Sequence, residues 1–263
     1  MTCVVPEKET NAVVDNFGII GKCLDFSNFD YFYNIKIIVR NKDVGANSPY
    51  SKTFTSHKEH VISWYSIRSR EAFYRCRDAI IALCDNNGFR AYIDLDTKSH
   101  SEASKLLLSK VQSDFIDAVK YKAGKDGKFQ PLDVLVRSCM TKSEVNVSRD
   151  KSWVLLDLDD KAKYSSIYAY LCVAIEDLEF PKAICYETVA GYHVIVPLNE
   201  FNKWDFFCNK ATNEQKIELQ KKNGNIPEPW TVVMDLRSRS DIEVKYNANA
   251  LLYCNMKTTK ENK

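Results

Sequence analysis

The sequence predicts an α+β fold with a mixed or antiparallel sheet. Two observations carry the prediction. Short runs rich in β-branched and aromatic residues alternate with stretches of helical period in both halves of the chain. In the second half, two such runs are separated by only a short turn, Val189 to Gly191.

Taken in order, Tyr31 to Val39 (YFYNIKIIV) reads as a strand, and Arg40 to Lys58, with Gly45 and Pro49, as a loop. His60 to Ile67 is the next strand. Ser69 is a helix cap with Glu71 in the first turn, and apolar Ala72, Phe73, Cys76, Ile80, Leu83 and Cys84 keep a helical period until Gly88 stops it. Phe89 to Leu95 is a strand running into a polar loop at Thr97-Lys98-Ser99. Ser101 to Lys120 is a helix, with Ala103, Leu107, Val111, Phe115 and Val119 on one face. The Gly/Lys-rich stretch Tyr121 to Lys128 marks a boundary between an N-terminal αβ module, 1–125, and a second module, 126–263, joined in one compact unit. Beyond it, Ser152 to Asp160 is a hydrophobic strand ending in acid, followed by a helix from Tyr164 to Leu178. Strands Ala183 to Glu187 and Tyr192 to Pro197 flank the turn. A polar stretch, Asn209 to Pro229, holds a Lys-rich helical piece. Strands Asp241 to Tyr246 and Leu251 to Asn255 close the chain.

Composition narrows the function classes. With 37 Lys+Arg against 35 Asp+Glu, the net charge of +2 supplies no strong field toward nucleic acid or membrane, so any polyanion binding has to be local or metal-assisted. The nine cysteines are odd in number, scattered and without a CxxC pair, which argues against a disulfide framework or zinc ribbon and for a reducing, cytoplasmic setting. No stretch approaches the length of a membrane span or a signal peptide, so neither is expected.

The chemistry concentrates in Asp157-Leu158-Asp159-Asp160. Alternate strand residues share a face, so Asp157 and Asp159 project together, roughly 6.8 Å apart along the strand, with Leu158 turned away. Two such carboxylates call for a cation, and oxygen donors suit Mg²⁺ or Mn²⁺. His193 stands in an apolar strand just after a Gly turn, whereas the other three histidines lie among polar residues. Gly191 permits close backbone approach to a ligand, and Thr188 offers a hydroxyl to a phosphate or to the imidazole. In Asp241-Ile242-Glu243-Val244-Lys245, alternation places Asp241, Glu243 and Lys245 on one face, and Asp235 is a competing acid. A second DxD, Asp94 and Asp96, is an alternative metal pair but reads rather as a strand entering a polar loop, and Arg90 as a surface ion-pair residue or, alternatively, a phosphate contact in the cleft.

The order hhhDhD, then xGxH, then hEh or hD on successive strands resembles the archaeo-eukaryotic primase superfamily. The segments YFYNIKIIV, FRAYIDLD, GYHVIVP and KYNANALLY are similar to a group of bacteriophage proteins that carry primase-like motifs. The resemblance implies a primase-like two-layer fold with an N-terminal αβ module and a C-terminal RRM-like catalytic sheet. It implies a metal-dependent nucleotidyltransferase of primase or primase-polymerase type, acting in DNA replication in the cytoplasm, that of the host if the chain is phage-encoded. Asp157 and Asp159 correspond to that family's first motif and His193 to its second. Glu243, or alternatively Asp241 or Asp235, corresponds to the third carboxylate. Asp157, Asp159 and Glu243 would hold Mg²⁺ or Mn²⁺. His193, with Thr188, Gly191 and Lys245, would meet the nucleotide. The implied partners are a nucleoside triphosphate, single-stranded nucleic acid and a larger replication complex, with no membrane. Gly191 stands where the family pattern has Ser, and no zinc module is visible.

Two other readings stay open. VLLDLDD also matches the opening of haloacid-dehalogenase-type phosphatases, although Lys161 follows where Thr or Val is usual and no Gly-Asp-x-x-x-Asp setting occurs later. A non-catalytic primase-like accessory that binds nucleic acid or protein is the third reading.

Overall fold

The computed structural model describes residues 12–40, 59–121, 132–142, 145–147, 153–177, 180, 182–246 and 249–256. Nine strands form two antiparallel sheets among these residues. They are β1 (Ala12–Asp15), β2 (Tyr31–Arg40), β3 (Glu59–Ile67), β4 (Arg90–Ser99), β5 (Trp153–Leu158), β6 (Ile184–Glu187), β7 (Tyr192–Pro197), β8 (Glu243–Lys245) and β9 (Asn249–Met256). The helices are α1 (Phe17–Cys23), α2 (Arg70–Arg75), α3 (Arg77–Asn87), α4 (His100–Tyr121), α5 (Leu132–Met140), α6 (Lys161–Glu176), α7 (Leu198–Asn209), α8 (Asn213–Asn223) and α9 (Glu228–Ser238).

The second sheet is ordered β6-β7-β5-β8, and the chain through it runs strand, helix, strand, strand, helices, strand. That is the split βαβ arrangement, in which the first and third strands of the unit lie side by side at its centre. Alternation then sorts its side chains. Val154, Leu156, Leu158, Val194 and Val196 point to one face and are sealed by α6, α7 and α9 through Tyr164, Leu171, Phe201, Trp204, Trp230 and Val233. On the other face, Leu155, Ile184 and Ile195 enter a second core shared with the first sheet. The polar residues of this latter face therefore emerge at the margin between the two sheets.

The first sheet is ordered β1-β9-β4-β2-β3. The C-terminal strand β9 lies between β1 and β4, so the second half of the sequence supplies an inner strand to the sheet of the first half. Asn16 ties the sheets together, its amide donating to the carbonyls of Leu251 (2.9 Å) and Glu187 (3.3 Å). The inward row Ile35, Ile37, Val39, Ala91 and Ile93 is covered by Phe17, Ile20, Phe73, Ile80 and Cys84 of α1 to α3.

Local chemistry sets the element ends, at Ser69 and Gly88 where the sequence placed them, and at Asp160 and Thr212 where it did not: β5 stops at Leu158 rather than Asp160, and α6 starts at Lys161 rather than Tyr164. Ser69 Oγ accepts from the Ala72 amide at 3.1 Å, and Gly88 ends α3 at φ 67°. Asp160 caps α6, its carboxylate accepting from the Lys163 amide at 3.0 Å, which gives the last acid of the DLDD run a structural task. Thr212 and Gln215 form a capping box on α8.

Four further expectations are corrected. The helix over 70–87 breaks at Cys76 into α2 and α3. Thr97-Lys98-Ser99 is not a polar loop: β4 continues through it and all three residues are buried. Lys98 is tolerated there because Nζ meets Asp94 at 3.1 Å and Asn146 at 2.5 Å, so the second DxD is engaged in a structural ion pair. Helices α7 and α9 and the β1–α1 unit appear where the sequence suggested no element. His100 is not on an exposed polar surface, since its ring packs against Phe32, tilted by 32° with centroids 4.3 Å apart. Apart from Arg40 and Tyr121, the expected loop 40–58 and boundary 121–128 lie outside the described residues. The eight described cysteines are free, and burial pushes the Cys84 thiol up to about 12, which keeps it protonated and apolar in character. Among the described residues no helix is long and apolar enough to cross a membrane.

Candidate functional site

Strand register brings the sequence candidates together. Asp157 of β5 pairs with His193 of β7 on one side and with Glu243 of β8 on the other, and His193 pairs in turn with Tyr186 of β6. The four residues Tyr186, His193, Asp157 and Glu243 thus form one transverse row across the sheet. Antiparallel partners on one face lie close enough for direct side-chain contact. Asp157 Oδ1 lies 3.2 Å from His193 Nε2 and Oδ2 lies 2.6 Å from Lys245 Nζ. The same ammonium is 3.1 Å from Glu243 Oε2.

The row opens into a cleft of about 600 Å³ between the two sheets. One wall carries Asp157, Asp159, His193, Glu243 and Lys245, together with Thr188 to Ala190 of the β6–β7 turn. The opposite wall is the first sheet, with Lys36 and Arg40 of β2, Arg90 and Tyr92 of β4, and Glu59 of β3. Lys36, Ile38 and Arg40 alternate along β2 and so face the cleft together. Arg40 pairs with Glu59 at 3.3 Å, and burial pulls the Lys36 ammonium below its usual range. Sequence reasoning missed this wall because Lys36 looks like an isolated polar residue in a hydrophobic strand. Its alternation with Arg40 was the available sign. Of the two sequence readings of Arg90, the cleft position holds and the exposed one does not: it is buried in this wall.

Electrostatics at the centre are set by the enclosure. Burial pushes the Asp157 carboxyl up, but the hydrogen bond and proximity of His193 and the ammonium of Lys245 outweigh it and hold the group at about 2. Burial likewise pulls Lys245 down, and its hydrogen bonds to Asp157 and Glu243 reverse that and raise it.

The alternatives for the third carboxylate separate in space. Asp241 precedes β8 and is taken up by Lys163 (2.5 Å) and the Tyr164 hydroxyl of α6, outside the cleft lining. It therefore does not share the Glu243 and Lys245 face. Asp235 lies on α9 and pairs with Arg239 at 2.7 Å. Only Glu243 of the three stands in register with Asp157.

Gly191 and Thr188 have tasks different from those expected. A Cβ on Gly191 would sit 1.6 Å from the Leu158 carbonyl oxygen, so the close approach is to the end of β5 rather than to a ligand. Thr188 closes the turn: its amide donates to Gly191 O at 2.9 Å and its hydroxyl accepts from Gly191 N at 3.0 Å. Together they lock the turn onto Leu158 and fix where Asp159 leaves the strand.

For a metal, the donor chemistry fits and the resting arrangement is held by an internal cation. Among the described residues no group of three or more His, Cys, Asp or Glu side chains is drawn together tightly enough to hold an ion. Asp157, Asp159 and Glu243 nevertheless line one cleft, all with oxygen donors, and the Lys245 ammonium sits between Asp157 and Glu243. A second groove of about 430 Å³, between β2, β3 and α5, is lined by Trp64, Leu132, Val136 and Met140 and brings no acids together. Comparison with protein-family models, with curated proteins and with solved structures gives no match to this chain.

Proposed function

We propose that this cleft belongs to a metal-dependent nucleotidyltransferase of primase or primase-polymerase type, and that the chain is related to the archaeo-eukaryotic primase superfamily. The observation that carries the reading is the in-register row His193, Asp157 and Glu243, with Asp159 two residues on and in the same cleft. The strand-helix-strand-strand-helix-strand course of the second sheet supports the RRM-like part of the resemblance.

In this reading Asp157, Asp159 and Glu243 would hold Mg²⁺ or Mn²⁺, which would supply a Lewis acid to lower the pKa of a 3′-hydroxyl and to offset triphosphate charge. The 3′-oxygen forms a bond to the α-phosphorus, the bond to the pyrophosphate oxygen breaks, and the hydroxyl proton passes to water. The chain's own residues bind and orient. His193 donates to a phosphate oxygen, Lys245 moves from the carboxylates to the phosphates, and Lys36, Arg40 and Arg90 give the far wall a positive face for nucleotide or a single nucleic-acid strand. A net charge of +2 suits an enzyme that grips a short template or works within a larger replication complex.

The test is Mn²⁺-dependent incorporation of labelled nucleotides, paired with thermal unfolding. Mn²⁺ is expected to raise the Tm of the native chain and to leave Asp157→Ala/Asp159→Ala unmoved, with incorporation lost in that variant. No Mn²⁺ shift in the native chain overturns the catalytic reading. One observation favours a second reading, a metal-free binding accessory: Asp157 is already satisfied by His193 and Lys245. That reading expects retention of single-stranded nucleic acid unchanged by chelator. The phosphatase reading requires a second acid pair, and the remaining acid of the cleft, Glu59, is paired with Arg40.

A further inference from the structure

We infer that Tyr186 is a positioning residue: its buried hydroxyl locks His193 as the Nε2–H tautomer, so the imidazole meets the cleft as a hydrogen-bond donor and not as a base. Tyr186 is fully buried, with its ring in the core shared by the two sheets. Its hydroxyl oxygen lies 2.9 Å from the backbone N–H of Leu251 on β9 and 2.8 Å from His193 Nδ1.

The direction of each bond follows from the inventory of protons. The Leu251 amide can only donate, so the hydroxyl oxygen accepts from it. A phenol has one proton to give. The hydroxyl's other partner is His193 Nδ1, so the proton goes there and Nδ1 is an acceptor. A neutral imidazole with an accepting Nδ1 carries its hydrogen on Nε2, which lies 3.2 Å from Asp157 Oδ1. The reverse tautomer would strand a buried hydroxyl proton and set an Nε2 lone pair against a carboxylate. Both are costly in an enclosed site.

Asp157 alone would favour the same tautomer for as long as it faces the ring. What Tyr186 adds is independence from Asp157. When the carboxylate turns to another cation, the hydroxyl still holds Nδ1 as an acceptor, and the Nε2–H stays directed into the cleft. The atom that meets His193 must then be an acceptor, as a non-bridging phosphate oxygen is. This last consequence rests on the phosphate-binding reading above, whereas the tautomer assignment does not. The amide that anchors the chain belongs to the first sheet, so the donor state of a residue in the second sheet is set across the interface between them.

The experiment is ¹⁵N NMR of the imidazole nitrogens in the full chain with ring-labelled histidine, His193 being assigned by its loss in His193→Gln. The native chain is expected to give the pattern of a single Nε2–H tautomer at His193. Asp157→Ala keeps that pattern, and Asp157→Ala/Tyr186→Phe loses it and gives a mixture. A scrambled ring in Asp157→Ala alone overturns the inference, as does a pure Nε2–H ring in the double variant. The Asp157→Ala arm decides by itself should the double variant fail to fold. These spectra require neither metal nor nucleotide, so failure of the transferase reading, seen as absent Mn²⁺-dependent incorporation, leaves them unchanged.

Discussion

Replacing Lys245 by Met removes the cation that bridges Asp157 and Glu243 while keeping most of the side-chain volume, and it separates a structural ammonium from one that holds the place of a metal. The Asp157 carboxyl falls from 3.8 to about 2 on folding. At about 1.4 kcal/mol per pH unit, that preference for the ionised form is worth about 2 kcal/mol. His193 and Lys245 share it. Lys245 is 38% exposed, so solvent screens its part, and Lys245→Met is expected to cost about 1 kcal/mol near neutral pH. In a chain of this size that lowers Tm by about 2 to 4 °C. The group's pKa is depressed by folding, so this contribution is complete above pH 3.8 and disappears as pH falls through about 2; the native–variant difference closes in that window. Divalent cation should act in the opposite sense. In Lys245→Met the ion no longer competes with an ammonium, so Mn²⁺ binds more tightly and its Tm shift at a fixed concentration exceeds that of the native chain; at 100 times Kd the stabilisation reaches about 2.7 kcal/mol. Thermal and urea unfolding with and without Mn²⁺ measure both effects. Lys245→Met with native stability in chelator, or with a smaller Mn²⁺ shift than the native chain, refutes the reasoning.

Two further outcomes follow from the same geometry. Gly191→Ala places a methyl group against the Leu158 carbonyl, which must move or push the turn away, at a cost of about 2 kcal/mol or more read in urea unfolding; native stability would mean that the turn does not seat on β5. Glu243→Gln is expected to abolish the Mn²⁺ shift, whereas Asp241→Asn preserves it, because Asp241 is held by Lys163 and Tyr164 away from the row; the reverse result would reassign the third carboxylate.

Strands with strong β-branched and aromatic character were legible because their information is local: YFYNIKIIV and WVLLDL need no partner to declare their period. The helices α7 and α9 were hidden for the complementary reason. Leu198–Asn209 and Glu228–Ser238 carry Phe201, Trp204, Trp230 and Val233, whose spacing becomes meaningful only against the buried face of the second sheet. Lys98 misled in the same way, since a lysine reads as a loop residue until Asp94 and Asn146 are seen around it.

By itself, then, the sequence determined the α+β class and the strand that carries Asp157, because side-chain direction in a strand is a property of neighbours two residues apart. The expected strand ran on to Asp160, whereas β5 ends at Leu158 and Asp159 lines the cleft from just beyond it. The sequence left three acids competing for one role. Register decided between them: only Glu243 lands opposite Asp157, and register is set by pairings across 86 positions of chain that no local pattern encodes. Tertiary structure also decided what surrounds the acids. The cationic wall of Lys36, Arg40 and Arg90 and the Leu251–Tyr186–His193 relay both come from the first sheet meeting the second, and β9, last in sequence, is what brings that wall and that relay to the same cleft.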